Sequence, residues 1–320
     1  MEKLIVTGGP PSLKGTINVS GSKNSSLPIL AATLLTKDQC VIRRVPDVSD
    51  ANYMLQILSQ LGADVERASG NVIVSAEKIS HQTPYDIVRK MRASVCMMGP
   101  LVARLGKAEV SLPGGCVIGD RPIDLHLHAL KELGAKVDVT GGYVIIDVPK
   151  DLEGKEINLR GKFGSTVLGT DNLMMAATLA KGTTIIEGAA AEPEVIDLGA
   201  LRTIMGAKIP GAGTRRIEIE GVSELHGAEH TVIPDRIEAG TFLVAAAMAA
   251  EKSLNINRVR ADHLKAVIEV IEASGHVVTV SGESIEVTRT DNSRGAKIHP
   301  GPYPEFPTDM QAQMTALLVI

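Results

Sequence analysis

The sequence predicts an α/β chain in which helices and short strands alternate within repeated βαβαββ-like units, enough for two domains. Three observations carry this. The first is an internal period, the signature of one supersecondary unit used several times. Leu61-Gly62-Ala63-Asp64-Val65, Leu133-Gly134-Ala135-Lys136-Val137, Met205-Gly206-Ala207-Lys208-Ile209 and Ser274-Gly275-His276-Val277-Val278 share one pattern, with glycines 72, 72 and 69 residues apart. The second is that short β-rich runs follow each glycine, as in Val72-Ile73-Val74, Val144-Ile145-Ile146, Ile217-Glu218-Ile219 and Ile285-Glu286-Val287, with the composition of strands. The third is length, since 320 residues correspond to about two domains.

Each unit opens with an apolar helix, at 24–35, 92–105, 170–180 and 238–250, followed by a strand at 40–42, 109–112, 184–186 and 254–257. These helices carry Ala, Met and Leu nearly all round and are expected to be buried. A second, amphipathic helix comes next, as in Val267-Ile268-Glu269-Val270-Ile271, and is expected to cover a sheet. The periodic glycines then end these second helices in the left-handed conformation common at helix C-termini. A fifth unit opens at Thr308-Asp309-Met310-Gln311-Ala312-Gln313-Met314, and the sequence stops at Ile320. A bare apolar helix is expected there, and with it a sequence cut short.

Composition excludes several classes of function. Apolar residues make up 44% and charged residues 22% of the chain, the balance of an ordinary globular protein. Three Phe, four Tyr and no Trp argue against a single-strand nucleic-acid platform, which stacks bases on aromatic faces. A net charge of −4 predicts no general attraction to nucleic acid or an anionic membrane. No signal peptide and no membrane span are expected. Cys40, Cys96 and Cys116 make neither a disulfide framework nor a zinc spacing, so the cytoplasm is the expected compartment. His126 and His128 are two apart and do not share a helix face; neither a metal nor a cofactor is expected.

The first helices open on polar or charged residues: Ser22-Lys23-Asn24, Arg92-Ala93-Ser94, Gly164-Ser165-Thr166-Val167, Asp235-Arg236-Ile237-Glu238 and Thr308-Asp309. Helix N-termini present unpaired N–H groups and a positive dipole end, so they favour anions. Lys23, Arg92, Arg121 and Arg236 add formal charge. The simpler reading is capping, which is favoured for Ser22 and Thr170 taken alone. The loop Pro113-Gly114-Gly115-Cys116-Val117-Ile118-Gly119-Asp120-Arg121-Pro122 has no counterpart in the other units. Its glycines and prolines have the makings of a lid. Cys116 at its tip, five residues before Arg121, has the surroundings of a reactive thiol. Cys40 and Cys96, in a strand and an apolar helix, read as core.

Gly21-Ser22-Lys23-Asn24, Met91-Arg92-Ala93-Ser94, the loop from Pro113 to His126 and Phe306-Pro307-Thr308-Asp309-Met310-Gln311-Ala312-Gln313 resemble the UDP-N-acetylglucosamine 1-carboxyvinyltransferase family. The resemblance runs through essentially the whole chain. It implies an inside-out α/β barrel in two domains, one over 22–233 and the other joining 1–21 to 234–320, with the substrate cleft between them. It implies transfer of the enolpyruvyl group of phosphoenolpyruvate to UDP-N-acetylglucosamine through a tetrahedral ketal, releasing phosphate, in peptidoglycan precursor synthesis. By the same resemblance Lys23 and Asn24 hold phosphoenolpyruvate, with Lys23 also counted among the catalytic residues, and Arg92 contacts the UDP-sugar. Arg121, Pro122, Ile123, Asp124 and Leu125 hold the UDP end, and Thr166 and Val167 contact the diphosphate. The 163–169 stretch is one residue longer than the commoner family form. Asp309 is the carboxylate beside the attacking hydroxyl, a group that can serve as base. Cys116 is the acid that protonates the vinyl carbon, and the thiol that fosfomycin alkylates. The family continues beyond Ile320 with two further arginines for phosphoenolpyruvate. A UDP-sugar-binding protein without turnover is the alternative, and the sister family acting on shikimate-3-phosphate, which lacks the Cys116 loop, is a third reading.

Overall fold

A computed structural model describes residues 3, 5, 8–9, 12–88, 91–112, 122–162 and 164–319. The chain forms two compact units, residues 21–233 and residues 1–20 with 234–320. In chain order the elements are β1 (Thr16–Asn18), α1 (Lys23–Ala32), β2 (Cys40–Arg43), α2 (Ser49–Gln60), β3 (Asp64–Ala68), β4 (Asn71–Ser75), α3 (Tyr85–Val88), α4 (Met98–Leu105) and β5 (Lys107–Ser111). Then come α5 (Asp124–Glu132), β6 (Lys136–Thr140), β7 (Tyr143–Asp147), β8 (Glu156–Asn158), α6 (Val167–Thr178), β9 (Thr183–Glu187), α7 (Pro193–Ile204), β10 (Arg216–Glu220) and β11 (Glu229–Thr231). The last are α8 (Arg236–Ala249), β12 (Ser253–Asn257), α9 (Lys265–Ala273), β13 (Val277–Ser281), β14 (Ser284–Thr288) and α10 (Gln311–Leu318).

The repeat is visible in the backbone. Gly62, Gly134, Gly206 and Gly275 have φ of +103°, +102°, +104° and +104°, a region in which a side chain is strained. Behind each, the next N–H reaches five residues back: Ala63 to Leu58, Ala135 to Leu130, Ala207 to Arg202 and His276 to Ile271. These are the Schellman bonds that close a helix C-terminus. Three units then continue as an antiparallel hairpin, β3–β4, β6–β7 and β13–β14. The third unit departs from this, because Pro210 and Gly211 (φ +86°) interrupt its first strand and leave a single bridge, Lys208 to Glu220. Proline cannot donate to the ladder.

The strand after each first helix pairs antiparallel with one strand and parallel with a short run from elsewhere. In the 21–233 unit the parallel partner of β9 is β8, and that of β5 is a bridge at Gln82. The parallel partner of β2 is β11, from the far end of the unit, with Glu229 opposite Val41 and Thr231 opposite Arg43. The unit therefore closes on itself. In the other unit β1 pairs with β12, Thr16 opposite Asn255, although 21–233 intervenes in the sequence.

Within the 21–233 unit, α1, α4 and α6 pack together inside, buried on nearly every face. The strands alternate more and less buried positions. Helices inside and sheets outside make this an inside-out α/β barrel. The expected helix at 92–105 is divided, with a 3-10 turn over Arg92–Met97 before α4. In the other unit, Leu243, Leu264, Phe306, Met310, Met314 and Leu317 belong to one core cluster. The α10 helix expected to be bare thus buries one face against α8.

Gly62→Ala should destabilise the protein by about 1–3 kcal/mol, since a Cβ there meets the Lys78 carbonyl oxygen at 2.8 Å in a backbone region unfavourable to L-residues. Gly70→Ala, with φ +78° and nothing within 4 Å, should lose less. Urea denaturation of the two variants measures the difference.

Candidate active site

Within the 21–233 unit, α1 starts where Ser22 caps it, its Oγ accepting from Ser25 N at 3.2 Å. Lys23, the first helical residue, extends its Nζ to Asp50 Oδ2 at 3.4 Å. Asp50 lies in the first turn of α2, where the helix dipole favours an acid. Both side chains remain partly exposed, 42% and 34%, so the pair holds the ammonium at a wet surface.

Arg92 begins the 3-10 turn that leads into α4, and Asp124 begins α5. Asn172 on α6 holds both elements. Its Oδ1 accepts from Gly99 N at 2.8 Å, and its Nδ2 lies 2.9 Å from Val95 O and 2.8 Å from His126 Nδ1. Donation from Asn172 makes Nδ1 the acceptor and puts the imidazole proton on Nε2. His126 is buried, and its pKa is pushed down from 6.5 to about 4, first by burial, then by the Arg92 charge, with Asp124 opposing. One neutral imidazole therefore feels both Arg92 and Asp124. His128 is exposed.

Pro122, Ile123, Asp124 and Leu125 run into the first turn of α5. Leu125 packs on Gly161, where a Cβ would lie 2.9 Å from Leu125 Cδ1. Gly161 and Gly164 exchange backbone hydrogen bonds of 2.8 and 3.2 Å. This turn leads to Thr166, whose Oγ1 caps α6 by accepting from Gly169 N at 3.2 Å, with Val167 as the first helical residue. Thr170 is not the cap: it lies inside α6, and its hydroxyl donates to Thr166 O at 2.7 Å. The start of α5 thus meets the turn before α6 through Leu125 and Gly161. Cys116 and Arg121 lie outside the described residues. Cys40 and Cys96 are free and buried, and burial raises both thiol pKa values, which leaves them inert.

In the other unit, Asp309 is exposed in the 3-10 turn Thr308–Met310, anchored by buried Met310 against Gly240. Asp235 caps α8, and the Arg236 guanidinium lies 5.9 Å from the Tyr303 ring centroid. Among the described residues no group of three His, Cys, Asp or Glu side chains is arranged to hold a metal ion, and no helix is long and apolar enough to cross a membrane.

Comparison with known proteins identifies the relatives. A protein from Akkermansia muciniphila named UDP-N-acetylglucosamine 1-carboxyvinyltransferase is 56% identical over 319 residues, 99% of this chain and 75% of the relative. One of the same name from Methylacidiphilum infernorum is 55% identical over 320 residues, all of this chain and 75% of the relative. The chain belongs to the UDP-N-acetylglucosamine 1-carboxyvinyltransferase family. A broader family model, described as EPSP synthase (3-phosphoshikimate 1-carboxyvinyltransferase), matches residues 8–320. Among solved structures, the enolpyruvyl transferase NikO from Streptomyces tendae superposes with a TM-score of 0.84 at 21% identity, covering 97% of this chain and 73% of that one. EPSP synthase from Acinetobacter baumannii gives 0.67 at 20% identity, covering 92% of this chain and 68% of that one. At such identity these two report the fold alone.

Asp50 was not among the residues the sequence singled out. The only local signal for it is an acid opening a second helix, an ordinary dipole pairing. The His126 environment gives a pH prediction. Its folded pKa of about 4 lies below the unfolded value of 6.5, so its contribution is intact above pH 6.5 and lost as pH falls toward 4. The loss is on the order of 3 kcal/mol at about 1.4 kcal/mol per pH unit. His126→Gln, which keeps an acceptor for Asn172, should flatten that part of the acid limb in a stability-versus-pH series.

Proposed function

We infer that the chain transfers the enolpyruvyl group of phosphoenolpyruvate to the 3-hydroxyl of UDP-N-acetylglucosamine and releases phosphate, opening peptidoglycan precursor synthesis. The observation that carries this is identity of 46–56% with relatives of that name over at least 99% of the chain. The two substrates are the partners in this reading, without nucleic acid or membrane. Two buried free thiols support a reducing, cytoplasmic compartment. The units divided at 20/21 and 233/234 are proposed as the folding domains.

Asp309 takes the proton of the 3-hydroxyl as its oxygen bonds to C2 of phosphoenolpyruvate, while Cys116 protonates C3. The product of this addition is a tetrahedral ketal. A C3 proton then returns to the Cys116 thiolate as the C2–O bond to phosphate breaks, and inorganic phosphate leaves with the proton held by Asp309, restoring the double bond and both side chains. Cys116 suits the task because an ordinary thiol is still protonated near pH 7. Lys23 and Asn24 hold phosphoenolpyruvate, a role supported by the Asp50 partner that keeps the ammonium at the α1 opening. Arg92, Arg121, Pro122, Ile123, Asp124, Leu125, Thr166 and Val167 bind the UDP-sugar. The packing of Leu125 on Gly161, next to the α6 opening, supports grouping the uridine and diphosphate segments in one subsite.

Phosphate release from phosphoenolpyruvate that requires UDP-N-acetylglucosamine tests the reaction; release driven by shikimate-3-phosphate would favour the sister activity, and binding without release a non-catalytic protein. Asp309→Asn in the full-length enzyme should lower turnover 10²–10⁴-fold, the usual range for losing a general base, and leave UDP-sugar affinity within about tenfold. Near-normal turnover would reduce Asp309 to a helix-opening residue. Fosfomycin should label Cys116 and spare Cys40 and Cys96, as peptide mapping will report; label on a buried thiol with Cys116 unmodified would overturn that assignment.

A further inference from the structure

We propose that Asp197 is a positioning residue that sets the rotation of α1, and with it the direction in which Lys23 and Asn24 point. Asp197 lies on α7 and is 3% exposed. Its carboxylate accepts from three donors on separate parts of the unit. The Ser25 hydroxyl on α1 donates to Oδ2, His230 Nε2 on β11 lies 2.8 Å from Oδ1, and Ile233 N lies 3.2 Å from Oδ2. Ser25 and His230 are buried. An ionised carboxylate is acceptor-only, so this donor set matches it without conflict. Ile233 also accepts from Ser22 N at 2.8 Å through its carbonyl, which ties the α1 cap to the same anchor.

Ser25 is fixed twice, through its N–H by the Ser22 cap and through its hydroxyl by Asp197. Close packing already resists turning of a buried helix, and a buried side-chain hydrogen bond at one angle adds a directional restraint that apolar contacts lack. With Cα atoms about 2.3 Å from the axis, a turn of about 20° moves a Cα by roughly 0.8 Å and the end of a lysine by about 3 Å. That is enough to break the 3.4 Å Lys23–Asp50 pair, and a displacement near 1 Å at a reacting group can cost about 10²-fold in rate. The anchor also refers α1 to β11, the strand that closes the unit.

The inference rests on the proposed role of Lys23 and Asn24 in holding phosphoenolpyruvate. Its test uses the full-length enzyme with Ser25→Ala, Asp197→Asn and Lys23→Ala. Steady-state kinetics are measured for both substrates, and the ¹³C-dimethyl-lysine NMR signal of Lys23, assigned by its loss in Lys23→Ala, is followed in parallel. Ser25→Ala removes one oxygen and leaves the His230 and Ile233 bonds in place, so it serves even if Asp197→Asn fails to fold. The expected result is a fall of about ten- to a hundredfold in kcat/KM for phosphoenolpyruvate, KM for the UDP-sugar within about twofold, and a displaced Lys23 signal. Loss of thermal stability alone, with kcat/KM within about twofold and the Lys23 signal unmoved, overturns the proposal. If Lys23→Ala keeps normal kinetics, the assigned role of Lys23 fails instead, and the NMR signal still decides whether Asp197 orients it.

Discussion

Strand β11 lies at one end of the 21–233 unit and β2 at the other, and their parallel pairing turns a row of three repeats into a closed body. Glu229, His230 and Thr231 stand opposite Val41, Ile42 and Arg43, with Val41 N bonded to Ala228 O at 2.8 Å and Val232 N to Arg43 O at 3.1 Å. Without this pairing β2 would present an open edge, and the interior helices would lose part of their cover. The exposed Arg43–Glu229 pair at 2.7 Å adds little, as surface ion pairs do. The backbone ladder and the apolar contacts behind it carry the closure.

Closure has an electrostatic consequence. Deep inside the unit, burial disfavours the charged form of several ionisable groups. His126 is held neutral, burial pushes the Asp171 carboxyl well above its ordinary value with Glu194 and Glu192 adding to it, and burial pushes Arg202 down to about 9. Neither Asp171 oxygen has a hydrogen-bond partner among the described residues, and Arg202 reaches the Met174 carbonyl only through Nη2. Such groups weaken a core more than they support it. The residues proposed for anionic substrates stand instead at helix openings, where Lys23, Asn24, Arg92, Thr166 and Val167 are half-buried and Asp124 is exposed. The same helices that make the dry interior deliver their polar first turns to its margin.

Much of the fold was legible because it is local and repeated. Gly62, Gly134, Gly206 and Gly275 announced four helix ends by period alone, and the backbone there is nearly identical. The misreadings are also local. Pro210 broke a strand that the pattern of the other units implied, and Thr166 took the cap that residue type alone allowed at Thr170. In the site, helix openings were readable as polar clusters, whereas their supports were not. Asp50 meets Lys23 across 27 residues and Asp197 meets Ser25 across 172. No propensity or spacing encodes such pairs; they exist only after the unit has closed.

This division explains why kinship separates fold from chemistry. A TM-score of 0.84 at 21% identity means that roughly four-fifths of the side chains can differ while the architecture stays. Cores tolerate such change when volume and pattern are kept, and here the pattern is a glycine at each second-helix end, apolar first helices and a strand able to close on β2. None of these features selects a substrate. In the proposed reading, selection falls to the few residues at the helix openings and to the buried contacts that aim them. A fold shared at 21% identity therefore names an architecture and no substrate. The proposed step to a UDP-sugar rests on relatives 46–56% identical over at least 99% of the chain.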